Sequence, residues 1–256
     1  MHEASLHEDN SFITLTYSPE NLPYDQSIHK NELQKFFKRL RKNTNSKLRY
    51  FACGEYGEKN NRPHYHAIIF GYNFPDKYIH TKSNNHVLYR SPTLEKAWKN
   101  GHSLIGEVTF ESAAYVARYV MKKRKGDDET IDPITGKTNK EYYQICDKET
   151  GEIHQQNSEF CIMSRKPGLG ADWLQHYKSD TDKDYITLRG VKMKLPKFYD
   201  SILAMEDELA MLKRKGKRKR KALEQNKDNT FERLAVKKHV KQVQIKQLIR
   251  PIEALQ

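Results

Sequence analysis

The order of strand-like and helix-like segments in the first half of the chain is the feature that most restricts its fold. Four segments have the apolar alternation or the β-branched and aromatic content of strands, namely residues 11–17, 48–56, 64–70 and 101–110. Residues 29–43 and 111–123 instead carry apolar side chains at helical spacing. This strand–helix–strand–strand–helix–strand order predicts an α+β fold, an antiparallel sheet with flanking helices on one face.

The remaining segments predict additions to this core. We expect a core over residues 1–125, a polar insertion or loop over 126–157, an extension that completes the core over 158–200, and a basic helical tail over 201–256. Ser91-Pro92 is typical of the start of a short helix, and residues 159–164 and 185–189 are short strand candidates. The helix of the tail is predicted from the spacing of five apolar residues: Phe198, Ile202, Met205, Leu209 and Leu212.

The charge of the chain indicates a polyanionic partner. The 256 residues carry 46 basic and 33 acidic side chains, a formal net charge of +13, and residues 201–256 hold 15 of the basic and 7 of the acidic ones. No apolar run approaches the roughly 18 residues of a membrane span, so we expect no membrane partner. Eight cations are candidates for contacts with the phosphates of such a partner: Lys213, Arg214, Lys215, Lys217, Arg218, Lys219, Arg220 and Lys221. A solvated tail without a partner is the alternative interpretation.

The cysteines and the first residues indicate a reducing compartment. Cys53, Cys146 and Cys161 are an odd number of cysteines without a close pair, which argues against a disulfide scaffold or a zinc finger. The first ten residues are acidic and polar, whereas a signal peptide is basic and then apolar. We therefore expect the protein to act in a cytoplasm.

Two histidines on the third predicted strand are candidate metal ligands. His64 and His66 are two residues apart, so their rings lie on the same face of the strand, where neutral imidazoles can share one metal ion. Glu55 lies just before the turn, and a hairpin can bring it beside the histidines as a third ligand, with Glu58 in the turn as the second choice. A surface histidine pair and a solvent-facing carboxylate are the alternative interpretation.

Two tyrosines on the second predicted helix are candidate nucleophiles. Tyr115 and Tyr119 are four residues apart and lie on one helix face, and Lys122 is a candidate catalytic cation nearly one turn further on. Arg118 and Lys123 add positive charge at short spacing and are candidates for contact with the phosphates of the substrate. Because a phenol has a pKa of about 10, it attacks phosphate poorly unless a cation or a metal ion assists. Ordinary packing of aromatic residues is the alternative.

These motifs resemble those of the HUH endonuclease superfamily, and most closely those of microvirus replication initiation proteins of the gokushovirus type. Residues 12–17 (Phe-Ile-Thr-Leu-Thr-Tyr) are similar to the first family motif, residues 62–66 (Arg-Pro-His-Tyr-His) match the histidine motif, and residues 115–122 match the two-tyrosine motif. Residues 54–57 (Gly-Glu-Tyr-Gly) and 164–170 (Ser-Arg-Lys-Pro-Gly-Leu-Gly) also resemble the microvirus group.

The resemblance covers about residues 5–195 and implies rolling-circle initiation by an HUH endonuclease with an RRM/ferredoxin-like core. It implies that one tyrosine nicks a DNA strand at the origin and becomes linked to the 5′ phosphate, and that the second tyrosine acts after one round. The implied cofactor is Mg²⁺ or Mn²⁺, and the implied partners are single-stranded or origin DNA and the host replication machinery, in the host bacterial cytoplasm. Microvirus initiators usually carry more chain ahead of the first strand, so the resemblance leaves room for a missing N-terminal segment.

Two other functions stay open at this point. A mobilisation relaxase or single-strand transposase uses the same kind of metal site, but often has a single nucleophilic tyrosine. A non-catalytic nucleic-acid-binding module would stack bases on sheet aromatics, for which the candidates are Phe12, Tyr50, Tyr65 and Phe70. That module leaves the ordered histidine, glutamate and tyrosine motifs unexplained.

Overall fold

The chain forms two compact units, Met1–Gly170 and Ala171–Gln256. The computed structural model describes residues 1–57, 61–83, 86–123, 126–132, 135–147 and 150–246, with side chains left out at 83, 86, 119–122 and 245–246. Within these ranges, no helix has the length and the apolar character that a membrane crossing requires.

The first unit is built around one large sheet. The strands of the first unit are β1 (Asn10–Tyr17), β2 (Arg49–Tyr56), β3 (Pro63–Phe70), β4 (Tyr78–Ser83), β5 (His86–Arg90), β6 (Gly101–Gly106), β7 (Gln144–Cys146), β8 (Ile153–Gln155) and β9 (Phe160–Met163). Its α-helices are α1 (Lys30–Thr44), α2 (Pro92–Ala97), α3 (Phe110–Lys122) and α4 (Asn139–Tyr142), and its 3-10 helices are Ala4–Leu6 and Pro19–Asn21. Seven strands form the sheet in the order β4-β5-β6-β1-β3-β2-β9, and all neighbours are antiparallel. The predicted α+β class is confirmed.

One face of this sheet, which we name the α1 face, carries the main apolar core. Side chains alternate along a strand, so Ile13, Leu15 and Tyr17 of β1 all enter this core. The helix α1 buries Leu33, Phe36, Phe37 and Leu40, the four residues whose spacing predicts the helix. Trp98 follows α2 and packs against Tyr17, with ring centroids 5.3 Å apart.

The opposite face, which we name the α3 face, is covered by a helix as well, so the expectation of helices on one face only is wrong. The ring of Tyr115 in α3 contacts Phe12 and His66, which point away from the α1 face. The reason is that the central strands have apolar side chains on both sides. Phe12 and Ile68 on the α3 face are each 4% exposed, and a sheet that is apolar on both faces needs a cover on each.

Residues 72–100 contain a hairpin that the sequence pattern does not predict. The strands β4 and β5 pair with each other and extend the sheet beyond β6. Tyr78 and Ile79 are 50% and 62% exposed. These strands therefore lack the alternation of buried apolar and exposed polar side chains from which a strand is predicted. The short helix predicted at Ser91-Pro92 is present as α2, with the Ser91 hydroxyl accepting from the Leu94 N–H.

The predicted polar insertion contains α4 and the two-stranded ribbon of β7 and β8. Polar contacts tie it to the segment before α1, because Gln26 donates to Asp147 at 2.9 Å and Gln156 donates to the Gln26 carbonyl at 2.7 Å. The strand predicted at residues 159–164 is present as β9, which pairs with the edge of β2.

The second unit consists mainly of helices. It contains α5 (Ala171–His176), β10 (Tyr185–Leu188), β11 (Val191–Lys194), α6 (Lys197–Glu206), α7 (Glu208–Glu224), α8 (Phe231–Lys246), and the 3-10 helices Lys178–Thr181 and Gln225–Asp228. The predicted basic helical tail is confirmed, but the five apolar residues whose spacing predicts it are divided between two helices. Asp207 ends α6 and caps α7 by accepting from the Ala210 N–H at 2.9 Å, which changes the helical phase. Tyr199, Leu203 and Met211 are therefore buried, whereas Met205 is 86% exposed.

Candidate active site

The strand register places the candidate metal ligands on the α3 face. Glu55 of β2 is directly opposite His64 of β3, and Cys53 is opposite His66. Directly opposed residues of an antiparallel pair share a face and have Cβ atoms about 5 Å apart. The predicted hairpin and the common face of His64, His66 and Glu55 are therefore present.

His66 is held on both sides of its ring. It is 0% exposed, its Nδ1 lies 3.0 Å from the Thr14 hydroxyl, and its Nε2 lies 2.7 Å from Glu55 Oε1. When Nε2 carries the proton, it donates to Glu55 and the Thr14 hydroxyl donates to Nδ1. When Nδ1 carries the proton, it donates to the Thr14 hydroxyl, and Nε2 then has the lone pair that a metal ion binds. These two contacts fix the orientation of the ring.

His64 is fixed by the backbone of the turn. Its Nδ1 donates to the Arg62 carbonyl at 2.6 Å, which leaves the Nε2 lone pair as the donor atom for a metal ion. Burial lowers the pKa of His64, although the bond to the Arg62 carbonyl opposes this effect. A lowered pKa keeps the imidazole neutral, which is the form that binds a metal ion.

The donor set has the chemistry of a divalent metal site, although the three side chains do not converge on one point. Two ligand atoms that share an ion at about 2.1 Å are about 3 Å apart, and His66 Nε2 and Glu55 Oε1 meet this condition. The rings of His64 and His66 are parallel, with centroids 6.5 Å apart. Across the described ranges, no three histidine, cysteine, aspartate or glutamate side chains are grouped closely enough to hold an ion. The second-choice ligand, Glu58, lies outside the described residues.

Tyr115 packs directly on His66. Its ring meets the His66 ring edge-on with centroids 5.1 Å apart, and meets Phe12 at 6.3 Å. The side chain is 2% exposed. The helix that carries it starts at a capping box, in which the Thr109 side chain accepts from the Ser112 N–H and the Ser112 hydroxyl accepts from the Thr109 N–H. Local sequence therefore fixes the start of α3, and the apolar contact with Phe12 fixes its face.

The other residues predicted around the tyrosine lie further along α3. Tyr119 and Lys122 are within the helix, but their side chains lie outside what the structure describes. Arg118 is partly exposed and Lys123, at the end of the helix, is exposed. The structure thus brings together Glu55, His66 and Tyr115, whereas the contacts of the second tyrosine and the lysine stay predictions.

A known family model covers the segment that carries the motifs. Residues 10–124 match the family model of the replication-associated protein ORF2. This interval contains all the residues predicted to be catalytic or metal-binding. The chain is similar to phage replication-associated proteins. The resemblance to microvirus-type replication initiators is confirmed.

Three relatives carry the name of replication-associated protein. VP4 of Bdellovibrio phage phiMH2K is 31% identical over 211 residues, which are 77% of this chain and 59% of that protein. ORF4 of Chlamydia phage 1 is 37% identical over 211 residues, 78% of this chain and 47% of that protein. ORF2 of Spiroplasma virus 4 is 39% identical over 124 residues, 44% of this chain and 38% of that protein. The chain spans about half the length of the relatives that it matches, and no solved structure matches it.

Two residues of this initiator-like site have roles that the motifs do not reveal. Thr14 orients His66, and Arg62 supplies the carbonyl that orients His64 while its guanidinium donates to the Tyr17 carbonyl at 2.6 Å. Thr14 lies opposite His66 in the pairing of β1 with β3. If this register had been known, Thr14 could have been identified as a neighbour of His66, because directly opposite residues of paired strands point to the same face of the sheet.

The predicted DNA-binding cations of the second unit fall into two groups. Arg218 donates to Asp184 at 2.7 Å and to Asp200 at 2.6 Å, and Arg214 donates to the Thr181 carbonyl at 3.0 Å. Two carboxylates raise the pKa of Arg218 above its ordinary value. These arginines hold the second unit together. The other six predicted contacts are exposed, namely Lys213, Lys215, Lys217, Lys219, Arg220 and Lys221.

Proposed function

We propose that this protein initiates viral rolling-circle replication by nicking one strand of the origin DNA, with a tyrosine of α3 as the nucleophile. The observation that carries the proposal is the contact of Tyr115 with His66, whose ring is hydrogen-bonded to Glu55. A phenol beside an imidazole and a carboxylate places a nucleophile next to groups that can hold an activating metal ion. The names of the relatives support the replication role.

The reaction transfers a phosphoryl group without loss of its bond energy. The tyrosine oxygen bonds to the scissile phosphorus, the bond from phosphorus to the 3′ oxygen breaks, and a proton passes to that oxygen. The 5′ phosphate stays on the tyrosine, and the free 3′ hydroxyl primes synthesis by a host polymerase. Because the phosphotyrosine bond keeps the energy of the phosphodiester, no external energy is needed to close a circle. After one round the second tyrosine attacks the regenerated origin, and the 3′ hydroxyl released there attacks the first phosphotyrosine, which joins the strand ends and frees the first tyrosine.

Each residue of the site has a role in this proposal. His64, His66 and Glu55 are the residues that would hold a divalent ion, Mg²⁺ or Mn²⁺, and the ion would supply charge stabilisation to the phosphate oxygens. Thr14 keeps the His66 ring in place. Tyr115 and Tyr119 are the two nucleophiles, and Lys122 stabilises the attacking oxygen.

The proposal also includes the DNA-binding residues, the partners and the compartment in which the protein acts. Arg118, Lys123 and the exposed cations of α7 contact DNA phosphates. The partners are single-stranded origin DNA and the host replication machinery, in the cytoplasm of a bacterial host.

The structure does not favour a non-catalytic module that stacks bases on the sheet. Tyr65 is 0% exposed, and Phe12 and Phe70 are each 4% exposed. Tyr50 stacks on Phe37 with ring centroids 3.8 Å apart, and Arg41 lies over its ring at 5.3 Å. None of the four candidate aromatics therefore presents an uncovered ring to a base.

A covalent-adduct assay tests the proposal. The full chain is incubated with a 5′- or 3′-labelled single-stranded origin oligonucleotide and Mn²⁺ or Mg²⁺, and the products are separated on a denaturing gel. We expect a detergent-resistant protein–DNA adduct that carries the 3′ part of the strand, and a free 3′-hydroxyl fragment. Chelation of the metal removes both products.

Isosteric variants identify the nucleophile. We expect Tyr115→Phe combined with Tyr119→Phe to lower adduct formation by at least about 10⁴-fold, because a reaction without its nucleophile keeps little of its rate. Tyr65→Phe is the matched control, since its hydroxyl lies on the α1 face and bonds to Tyr17. Adduct formation that survives in the double variant would disprove the tyrosine mechanism. The two single variants then show which tyrosine acts first.

A further inference from the structure

The hairpin of β10 and β11 has two chemically different faces. Its register pairs Tyr185 with Lys194 and Thr187 with Lys192, so these four side chains share one face. We name this surface the ribbon face. The opposite face is apolar and carries Ile186, Leu188, Val191 and Met193. No sequence motif distinguishes this hairpin, and the predicted DNA contacts do not include it.

The ribbon face is accessible and positively charged. All four residues of β11 are exposed, and the Lys192 ammonium lies 4.8 Å from the centre of the Tyr185 ring. Residues 183–194 carry four basic side chains and one acidic side chain, Asp184. Since Arg218 binds both oxygens of that carboxylate, Asp184 does not neutralise the lysines of the ribbon face.

The hairpin is held in a defined conformation. Arg189 and Gly190 form its turn with φ values of 49° and 77°, the left-handed pair that a tight two-residue hairpin turn requires. At the base of the hairpin, Arg218 joins Asp184 to Asp200 of α6. Leu195, directly after β11, is buried. The two lysines are therefore presented by an ordered element, which lowers the entropic cost of binding a partner.

We propose that the ribbon face binds the phosphate backbone of double-stranded DNA, as a second DNA contact that is separate from the nicking site. The proposal rests on the proposed function, which makes DNA the polyanion that this protein meets. A hairpin with four residues in each strand is about 13 Å long, and a two-stranded ribbon fits the major groove of B-DNA, which is about 12 Å wide. Lys192 and Lys194 contact phosphates, and the Thr187 hydroxyl donates to a phosphate oxygen.

Duplex DNA fits this face better than a single strand. Base stacking, which holds single strands, needs an uncovered aromatic ring, but Lys192 lies over the ring of Tyr185. The remaining groups are two ammonium groups and a hydroxyl, which bind phosphate without reading sequence. The ribbon face therefore gives affinity for the duplex that flanks a nick, with no preference for its sequence.

A salt titration of duplex binding tests this assignment. Full-length protein is titrated into a fluorescent duplex, and anisotropy gives the affinity at several salt concentrations. We expect Lys192→Gln combined with Lys194→Gln to reduce the slope of log K against log salt by about 1.8, which is roughly 0.9 for each lost phosphate contact. At about 0.1 M salt the affinity falls by roughly tenfold or more. The Lys192→Arg, Lys194→Arg variant retains both values, because the charge is kept.

A matched control separates the ribbon face from total charge. Lys38 and Lys42 are exposed residues of α1, on the sheet side opposite the candidate active site. Changing both to Gln removes the same charge, and we expect the duplex affinity and its salt slope to stay at wild-type values. Circular dichroism and thermal melting confirm that all variants are folded. An equal loss in the control, or wild-type affinity in the Lys192→Gln, Lys194→Gln variant, would overturn the assignment.

Two further measurements keep this proposal distinct from the nicking mechanism. The ribbon variant is titrated with single-stranded DNA, and a loss as large as that for duplex would show that the occupant is a single strand. Adduct formation at saturating single-stranded origin DNA is expected to be unchanged, and its loss would place the ribbon face in the nicking site. If the wild-type protein forms no adduct, the nicking proposal fails, whereas the duplex titration still tests whether the ribbon face binds duplex DNA.

Discussion

Tyr65 and His66 are adjacent in the chain, yet their side chains lie on opposite faces of one sheet. Tyr65 enters the core under α1, where its hydroxyl lies 2.9 Å from the Tyr17 hydroxyl and 2.7 Å from the His29 amide nitrogen. His66 lies under α3 between Thr14 and Glu55. Both side chains are 0% exposed, so burial alone does not distinguish a structural residue from a candidate catalytic one.

The difference between the two faces lies in what surrounds each polar group. On the α1 face, burial raises the pKa of Tyr65 to about 12, and the neighbours of its hydroxyl are another phenol and backbone groups. That phenol stays protonated. On the α3 face, an imidazole and a carboxylate are in direct contact, and a second phenol, Tyr115, packs against the imidazole. Of the two faces, the α3 face is therefore the one that combines donors for a metal ion with a candidate nucleophile.

The strongest test of this comparison is the loss of the His66 ring. We expect His66→Ala to lower the rate of adduct formation by at least about 10³-fold, because a metal ion supplies several kcal/mol of charge stabilisation and Glu55 also loses its partner. Single-turnover gels with labelled origin DNA measure this rate. Tyr65→Phe, one residue away on the α1 face, is expected to stay within about twofold of wild type. Near-normal rates in His66→Ala would remove the functional distinction between the faces.

The second test removes an aromatic residue from the α1 face. Phe36 is 0% exposed and packs edge-on against Trp98. We expect Phe36→Ala to lower the free energy of unfolding by about 3–5 kcal/mol, as cavities left by large side chains do, and urea denaturation measures it. Adduct formation per folded molecule should be unchanged at low temperature. A loss of chemistry in the folded protein would instead show that packing on the α1 face controls the site.

The third test uses alkaline pH. Because the pKa of Tyr65 is raised from 10 to about 12 in the folded protein, the unfolded chain loses this proton first. The stabilising contribution is complete below pH 10 and is lost as the pH rises toward 12. We expect the free energy of unfolding to fall by about 2 kcal/mol over this window, and by less in Tyr65→Phe. Urea denaturation at stepped pH measures it, and an identical slope in the variant would contradict the assignment.

The smallest effect is expected for Thr14 and its neighbour Ile13, which point to opposite faces. Thr14→Val removes the hydrogen bond that orients His66, so we expect adduct formation to fall by about tenfold, the usual cost of losing a group that orients a ligand. Ile13→Val should lower the free energy of unfolding by about 1 kcal/mol and leave adduct formation unchanged. Equal activity of the two variants would show that the ring needs no support from Thr14.

The sequence by itself determined the features that depend on local periodicity. The apolar spacing of residues 33–40 predicts α1 with its buried face, and the two-residue spacing of His64 and His66 predicts a common face beside Glu55. These predictions are confirmed because the repeats of a helix and of a strand depend only on neighbouring residues. The resemblance to microvirus replication initiators depended on sequence order alone and was confirmed by the relatives.

Only the tertiary structure decided which distant segments meet. The pairing of β1 with β3 brings Thr14 to His66 across 52 positions of sequence, and the packing of α3 on the second apolar face puts Tyr115 against the same ring. In the second unit, the fold pairs Arg218 with two carboxylates, whereas the lysines beside it are exposed. A local sequence pattern does not predict these contacts, because the strand order and the helix positions depend on burying both faces of the sheet at the same time.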